Sequence, residues 1–220
     1  MATSMTFTSL KEDIANYLER GGSALTDPVV HEKIPFFVNN AERALMQQLK
    51  LLGTLEVLVD APIGLATGVS VYAKPDRLRN VVSMSFGAGT DKNTRTPLWA
   101  RSYEYIRTYW PDSTQTGVPR FYADFSYSHW LVGPTPDDDY PWEILAYLQP
   151  PLLDETTQSN FFSSYCQNAL LYGSLIQAAP FIFNDERLGT WTQLYAAEIS
   201  TLDSQDMQKE LDRASVRNRP

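Results

Sequence analysis

Past Gly53 the apolar residues of this chain change their spacing, from one every three or four positions to one every second, and from Ser159 they change back. A period near 3.6 marks a helix with one buried face and a period of 2 a strand with one buried face, so the chain reads as helices, then strands, then helices. In "SLKEDIANYLERGG", Ser9 is expected to cap a short helix with Glu12 and Asp13 in its first turn. Leu10, Ile14, Tyr17 and Leu18 share its buried face, and Gly21 stops it. Asp27 and Pro28 suit a cap and a first helical residue. Pro35 is expected to restart a longer helix whose face carries Phe37, Ala41, Ala44, Leu45, Leu49 and Leu52 as far as Gly53.

The middle is β-rich. "LEVLV", "VSVYA" and "NVVSMSF" are β-branched runs broken by Pro62, Gly64, Pro75, Gly87 and Gly89. "SYEYIRTYW" puts Tyr105, Ile106 and Tyr109 on one helical face and ends at Pro111, which predicts a short helix between strands. In "RFYADFSYSHWLVG", Phe121, Phe125, Tyr127 and Leu131 alternate with Asp124, Ser126 and Ser128; in "YPWEILAYLQ", Trp142, Ile144, Ala146 and Leu148 alternate with Glu143 and Gln149. These two runs are expected to pair as a hairpin. Its reversal would then fall at "GPTPDDDY", where Pro134, Pro136 and Asp137 to Asp139 favour a turn. A calcium loop is excluded, because the central Gly and distant Glu of that spacing are absent.

The returning helical period carries Phe162, Tyr165, Ala169, Tyr172, Ile176 and Ala179, with Pro180 expected to end the helix. Asn184, Asp185 and Glu186 are expected to cap a last helix burying Leu188, Trp191, Tyr195, Ile199 and Leu202. No solenoid-period repeat and no low-complexity linker divides the chain. The expected fold class is therefore α+β: a helical bundle formed by N- and C-terminal helices (residues 1–53 and 152–203) with an inserted antiparallel β region (54–151), followed by a polar extension (204–220).

Composition removes several function classes. With 43% hydrophobic and 12% aromatic residues, 220 residues can bury a real core. Cys166 is the single cysteine, so an internal disulfide or a cysteine zinc cluster is excluded and a reducing compartment expected. The start lacks a basic segment leading into an apolar one, and "ALLYGSLIQAAPFIF" is too short to span a bilayer and carries Gln177 and Pro180, so no membrane partner is expected. A net charge of −8 opposes tight binding to phosphate backbones.

Searches for reactive constellations return little. His31 and His129 are isolated, whereas metal sites converge several ligands. "YGSLI" around Ser174 lacks the second glycine of a nucleophile elbow, and "SFGAGT" lacks dinucleotide-loop spacing. Cys166 falls on a face with Tyr165, Ala169 and Leu170, the setting of an inert packing thiol. Asp154 with Glu155, and Asp185 with Glu186, are placed at helix starts, where carboxylates suit the dipole. The aromatic residues around Tyr103, Tyr109, Trp110, Tyr127 and Trp130 could form a sugar platform, but sheet core and subunit interface use the same residues. No catalytic residue, metal or cofactor is expected.

Several stretches resemble the head-to-tail adaptor (connector) proteins of short-tailed bacteriophages, the tail tubular protein A-like group: "SLKEDIANYL", "NNAERALMQQLKL", "TGVPRFYADF" followed by "GPTPDDDYPWEILAYLQPP", and "LLYGSLIQAAPFIFNDERLGTWTQLYAAEI". The matching positions are Ala41 and Glu42 in the second helix, Gly117, Pro119 and Tyr122 at the strand entry, Tyr172, Gly173 and Pro180 in the "LLYG" helix, and Glu186 with Arg187 in "DER". Gln177 departs from the pattern, which has an acidic residue there. The resemblance implies a non-enzymatic virion protein made in the host cytoplasm. Its copies, commonly twelve, would form a ring at the neck, between the portal protein and the tail nozzle protein, around the channel through which double-stranded DNA leaves.

On that reading the acidic balance lets DNA pass loosely, since like charge gives little counterion release. The thinning stripe after Leu202 leaves Met207 and Leu211 to make apolar contacts with a partner, while Arg213, Arg217 and Arg219 pair with its acidic groups; the alternative is a frayed, solvated end. A ring also requires heterologous contacts, for which exposed parts of the β region are candidates. Two rival classes are a carbohydrate-binding tail module using the aromatics, and a small hydrolase using acids such as Asp138 or Asp139.

Overall fold

A computed structural model describes residues 5–18, 28–49, 51–59, 64–88, 91–182 and 186–217. Gly21, Asp27, Pro62, Gly89, Asn184, Asp185 and Arg219 lie outside them. The chain divides into two compact units, one built from Met1–Thr54 with Pro150–Pro220 and the other from Leu55–Gln149.

The first unit is helical. Helix α1 (Phe7–Tyr17) starts earlier than the spacing of acids predicts, because Thr6 is the cap. The Thr6 hydroxyl accepts from the Ser9 amide at 3.1 Å and the Ser9 hydroxyl from the Thr6 amide at 3.0 Å, a reciprocal box that satisfies two otherwise orphaned donors. Helix α2 (Pro28–Gln48) runs unbroken through Pro35. The expected restart does not occur, since the buried face of Ile34, Phe37, Val38, Ala41 and Leu45 keeps its register across the proline, and packing outweighs one missing amide. After a 3-10 turn (Leu52–Thr54) the chain leaves for the second unit. On its return, α4 (Phe161–Tyr165), α5 (Gln167–Ile182) and α6 (Leu188–Arg217) follow. Pro180 sits inside α5, which ends two residues later at Ile182.

One cluster forms this core, with Phe7, Leu10 and Ile14 of α1 against the α2 face, Leu170 and Leu175 of α5, and Trp191 of α6. Three residues placed on buried faces by periodicity are exposed instead: Tyr17, Tyr165 and Leu188.

The second unit is a sheet of seven strands in the order β1-β9-β3-β4-β6-β7-β2. These are β1 (Leu55–Val59), β2 (Val71–Ala73), β3 (Leu78–Ala88), β4 (Asp91–Ala100), β6 (Phe121–Asp124), β7 (His129–Gly133) and β9 (Trp142–Leu148); β5 (Thr116–Gly117) and β8 (Thr135–Pro136) form a separate short pair. Met84, Phe86, Trp130, Trp142, Ile144 and Ala146 lead its core. The predicted hairpin is not formed. β6 turns back on β7 through residues 125–128, and β9 pairs with β1 and β3. A two-fold alternation states which face of a strand is buried, not which neighbour completes it.

The expected fold class is overturned as well. The chain is mixed helix and sheet, and its sheet is a curled seven-stranded body, not a small β region inserted in a helical bundle. Nor is the sheet antiparallel throughout, since β4 and β6 pair in parallel, Trp99 opposite Phe121. The cause is α3 (Tyr103–Tyr109), capped by Ser102 and anchored by Ile106, which carries the chain back to the start of β6 in the manner a parallel connection needs. The sequence carries no period-2 signal for β4, because "DKNTRTPLWA" has almost no apolar alternation, and Thr94 to Pro97 are exposed.

Candidate functional site

The three aspartates form a structural turn. The Asp139 carboxylate accepts from the Thr67 amide at 2.8 Å and the Thr67 hydroxyl at 3.0 Å, bonds that hold its pKa below the usual carboxylate value. Asp137 accepts from the Tyr140 hydroxyl at 2.7 Å. Burial, with Asp137 beside it, pushes that phenol up to about 12. Asp138 accepts the Asp139 amide at 2.8 Å. The turn thereby ties β8 and β9 to the loop before β2, where Leu65 and Tyr140 bridge.

The remaining titratable candidates are also committed to structure. His129 lies on β7 with Nδ1 at 2.9 Å from the Ser128 hydroxyl, and His31 lies on α2, far along the sequence in the other unit. The Ser174 hydroxyl donates to the Leu170 carbonyl at 2.7 Å, inside α5. Cys166 is buried, which raises its thiol to about 11 and opposes a thiolate. Asp154 does not start a helix as expected. It accepts from the Thr156 and Thr157 amides and the Thr156 hydroxyl, closing a loop turn. No group of three or more His, Cys, Asp or Glu suited to a metal occurs among the described residues. A cleft of about 500 Å³ lies beside Lys74, Arg79, Asp124 and Ser126, but Lys74 is paired to Asp124 at 2.6 Å.

Positions singled out by resemblance fall into three places. Ala41 and Gly173 mark the closest approach of α2 to α5: a Cβ on Gly173 would stand 3.3 Å from that of Ala41 and 3.1 Å from the Tyr195 ring of α6. Tyr172 packs against the same core, whereas Pro180 is exposed. Gly117 lies in β5 against Pro134, Pro119 is buried, and Tyr122 of β6 is half-buried, its phenol pushed up by burial and by Asp124. Arg187 lies over the Trp191 ring at 5.2 Å, beside an exposed Glu186.

Glu42 is the most unusual of these. It is 0% exposed, with its carboxylate accepting from the Leu153 amide at 3.0 Å and from the Asn160 side chain. Asn160 also donates to the Pro151 carbonyl at 2.9 Å and caps α4. One buried acid thus fixes the segment leading into α4. Burial raises its pKa against the lowering pull of these two bonds and of Arg43.

Residues 204–217, expected as a polar extension, continue α6 as helix. Met207 is 65% and Leu211 62% exposed. Between them and the core, Gln205, Asp206 and Lys209 border a groove of about 390 Å³ closed by Phe161 and Tyr165. Arg213 and Arg217 fall on the last turns of the helix. Sequence reasoning overlooked Asn160, and it overlooked Arg101 and Arg107, whose signal was their interleaving with tyrosines in "RSYEYIRTYW".

The family model described as SU10 adaptor protein matches residues 5–220, and the chain belongs to that family. It is a bacteriophage structural adaptor, a virion component of the head-tail junction that contacts other head and tail proteins. No curated protein was found to match the chain.

Proposed function

We propose that copies of this chain form a ring, twelve-membered as in the tail tubular protein A-like adaptors it resembles, between the portal protein and the tail nozzle protein and around the path of exiting double-stranded DNA. The observation that carries this reading is the reach of the family match, residues 5–220, which takes in both units. A net charge of −8 is consistent with a channel wall that releases DNA. The outer half of α6, with Met207 and Leu211 exposed and Arg213, Arg217 and Arg219 at or beyond its end, is the proposed docking element for the portal. The protein is made in the host cytoplasm and joins the particle there.

Electron cryomicroscopy of the native particle tests the reading. The expected result is a neck ring of twelve-fold symmetry that disappears from particles lacking this chain. Removal of residues 204–220 should leave the rest of the chain folded and abolish attachment to portal-bearing heads. Undiminished attachment would refute docking through α6.

A further inference from the structure

One exposed face of the sheet unit is built unlike the rest. On α3, Tyr103 and Tyr109 are 39% and 61% exposed; Phe125 after β6 is 44% exposed, and Trp99 of β4, opposite Phe121 in the sheet, is 59% exposed. The rings touch one another, Tyr103 with Phe125 at 6.0 Å, Tyr105 with Phe121 at 5.5 Å and with Tyr109 at 4.7 Å. Two guanidinium groups lie on them. Arg101 sits 5.7 Å from the Tyr105 ring and 5.5 Å from Phe121, and Arg107 sits 5.6 Å from Tyr103. Stacking on rings restricts these side chains before any ligand arrives, and of the five donors of Arg101 one is given to the Ala100 carbonyl at 3.1 Å.

Neither arginine has a carboxylate partner among the described residues, in contrast to Lys11 with Glu155, Lys74 with Asp124 and Arg95 with Glu143. Exposed Tyr and Trp around Arg is the composition of protein interface centres. A patch of such rings is larger than isolated surface apolar residues require.

The complementary surface exists in every copy of the chain. Asp137, Asp138 and Asp139 are consecutive and exposed, in the same unit, and each is held by the turn bonds described above. A carboxylate has about four lone-pair positions, so every one of the three keeps acceptors free for an arginine fork. Within one chain the turn bonds to Thr67 and Tyr140 and not to α3. Duplex DNA fits the face less well. Two arginines give a salt slope of only about −2, Glu104 shares the helix, and the chain is net negative.

The geometry points to a contact between copies, in which the α3 face of one chain receives the Asp137–Asp139 turn of the next, Arg101 and Arg107 pairing with its carboxylates while the rings exclude water. Such a contact joins unlike surfaces and therefore propagates, closing where the rotation permits. The inference rests on the ring proposed above and names the surfaces that make it.

The test is concentration-dependent sedimentation of the purified full-length chain at low ionic strength. Arg101→Glu with Arg107→Glu should weaken self-association by about tenfold or more, and so should Asp137→Arg with Asp138→Arg. An equimolar mixture of the two variants should recover it, because each then offers the surface the other lacks. Association indifferent to both reversals, a mixture that fails to recover, or a wild-type chain still monomeric at about 1 mM would overturn the contact. So would loss of duplex DNA retention in the arginine variant with association unchanged, which would make the face a nucleic-acid surface.

If a reversal variant does not fold, chains carrying Tyr103→Cys mixed with chains carrying Asp138→Cys give a second readout. Cys166 is buried, and mild oxidation should crosslink that pair well above a control pairing of Tyr103→Cys with Glu155→Cys; equal yields would overturn the proposal. A neck without this chain sinks the ring, whereas these outcomes sink only the contact.

Discussion

At the scale of single residues, Glu42 carries the sharpest consequence. A carboxyl whose folded pKa is raised binds its proton more readily folded than unfolded, so its contribution to stability declines as pH rises from the ordinary 4.5 through the folded value. Glu42→Gln should remove that decline, so the difference between wild-type and variant urea midpoints should change across this window and level off above it. A difference independent of pH would mean that Glu42 titrates normally. Gly173 offers a steric counterpart. With Ala41 and Tyr195 standing 3.3 and 3.1 Å from a new Cβ, Gly173→Leu should cost about 1–3 kcal/mol or more through overpacking, measured by chemical unfolding. Resemblance marks Glu42 in the sequence, but its role stays hidden there because its partners, Leu153 and Asn160, are 111 and 118 residues away. A single chain records spacing along itself and leaves such contacts unmarked.

At the scale of elements, the change of period located helices and strands well, because one-sided burial is written locally in α2, α5 and β9. What it left out was decided elsewhere. Pro35 looks like a break, yet the faces on either side of it stay in register and the helix continues, whereas α5 ends two residues past Pro180. Glu12 and Asp13 place the expected N-cap of α1 at Ser9, one turn late, while the reciprocal Thr6 and Ser9 bonds set it at Thr6. Thr6→Ala should therefore lower the stability of the helical unit by about 0.5–2 kcal/mol, and Glu12→Gln should change it little; thermal melts of both variants compare the two. β4 and the pairing of β9 were illegible for a different reason. Edge and partner choice in a sheet depend on strands far apart in sequence, and the turn that pairs β6 with β7 carries no Asn-Gly or Asp-Gly signature.

At the scale of the whole molecule, two units with separate cores share one acidic chain. Because the net charge is −8, retention of duplex DNA by the purified protein should fall to background by about physiological salt, with a slope of log affinity against log salt no steeper than about −2. Filter binding across a salt series checks this, and a steep slope would reveal a basic surface that the charge balance conceals. Helix α6 has a further consequence at this scale. Its thirty residues extend about 45 Å, and Met207 and Leu211 stand outside the packing that holds Trp191. Exchanging those two side chains opens no cavity in the helical core, so the surface they present can change without cost to the packing beneath it, which is not true of the buried Asp206 on the same stretch.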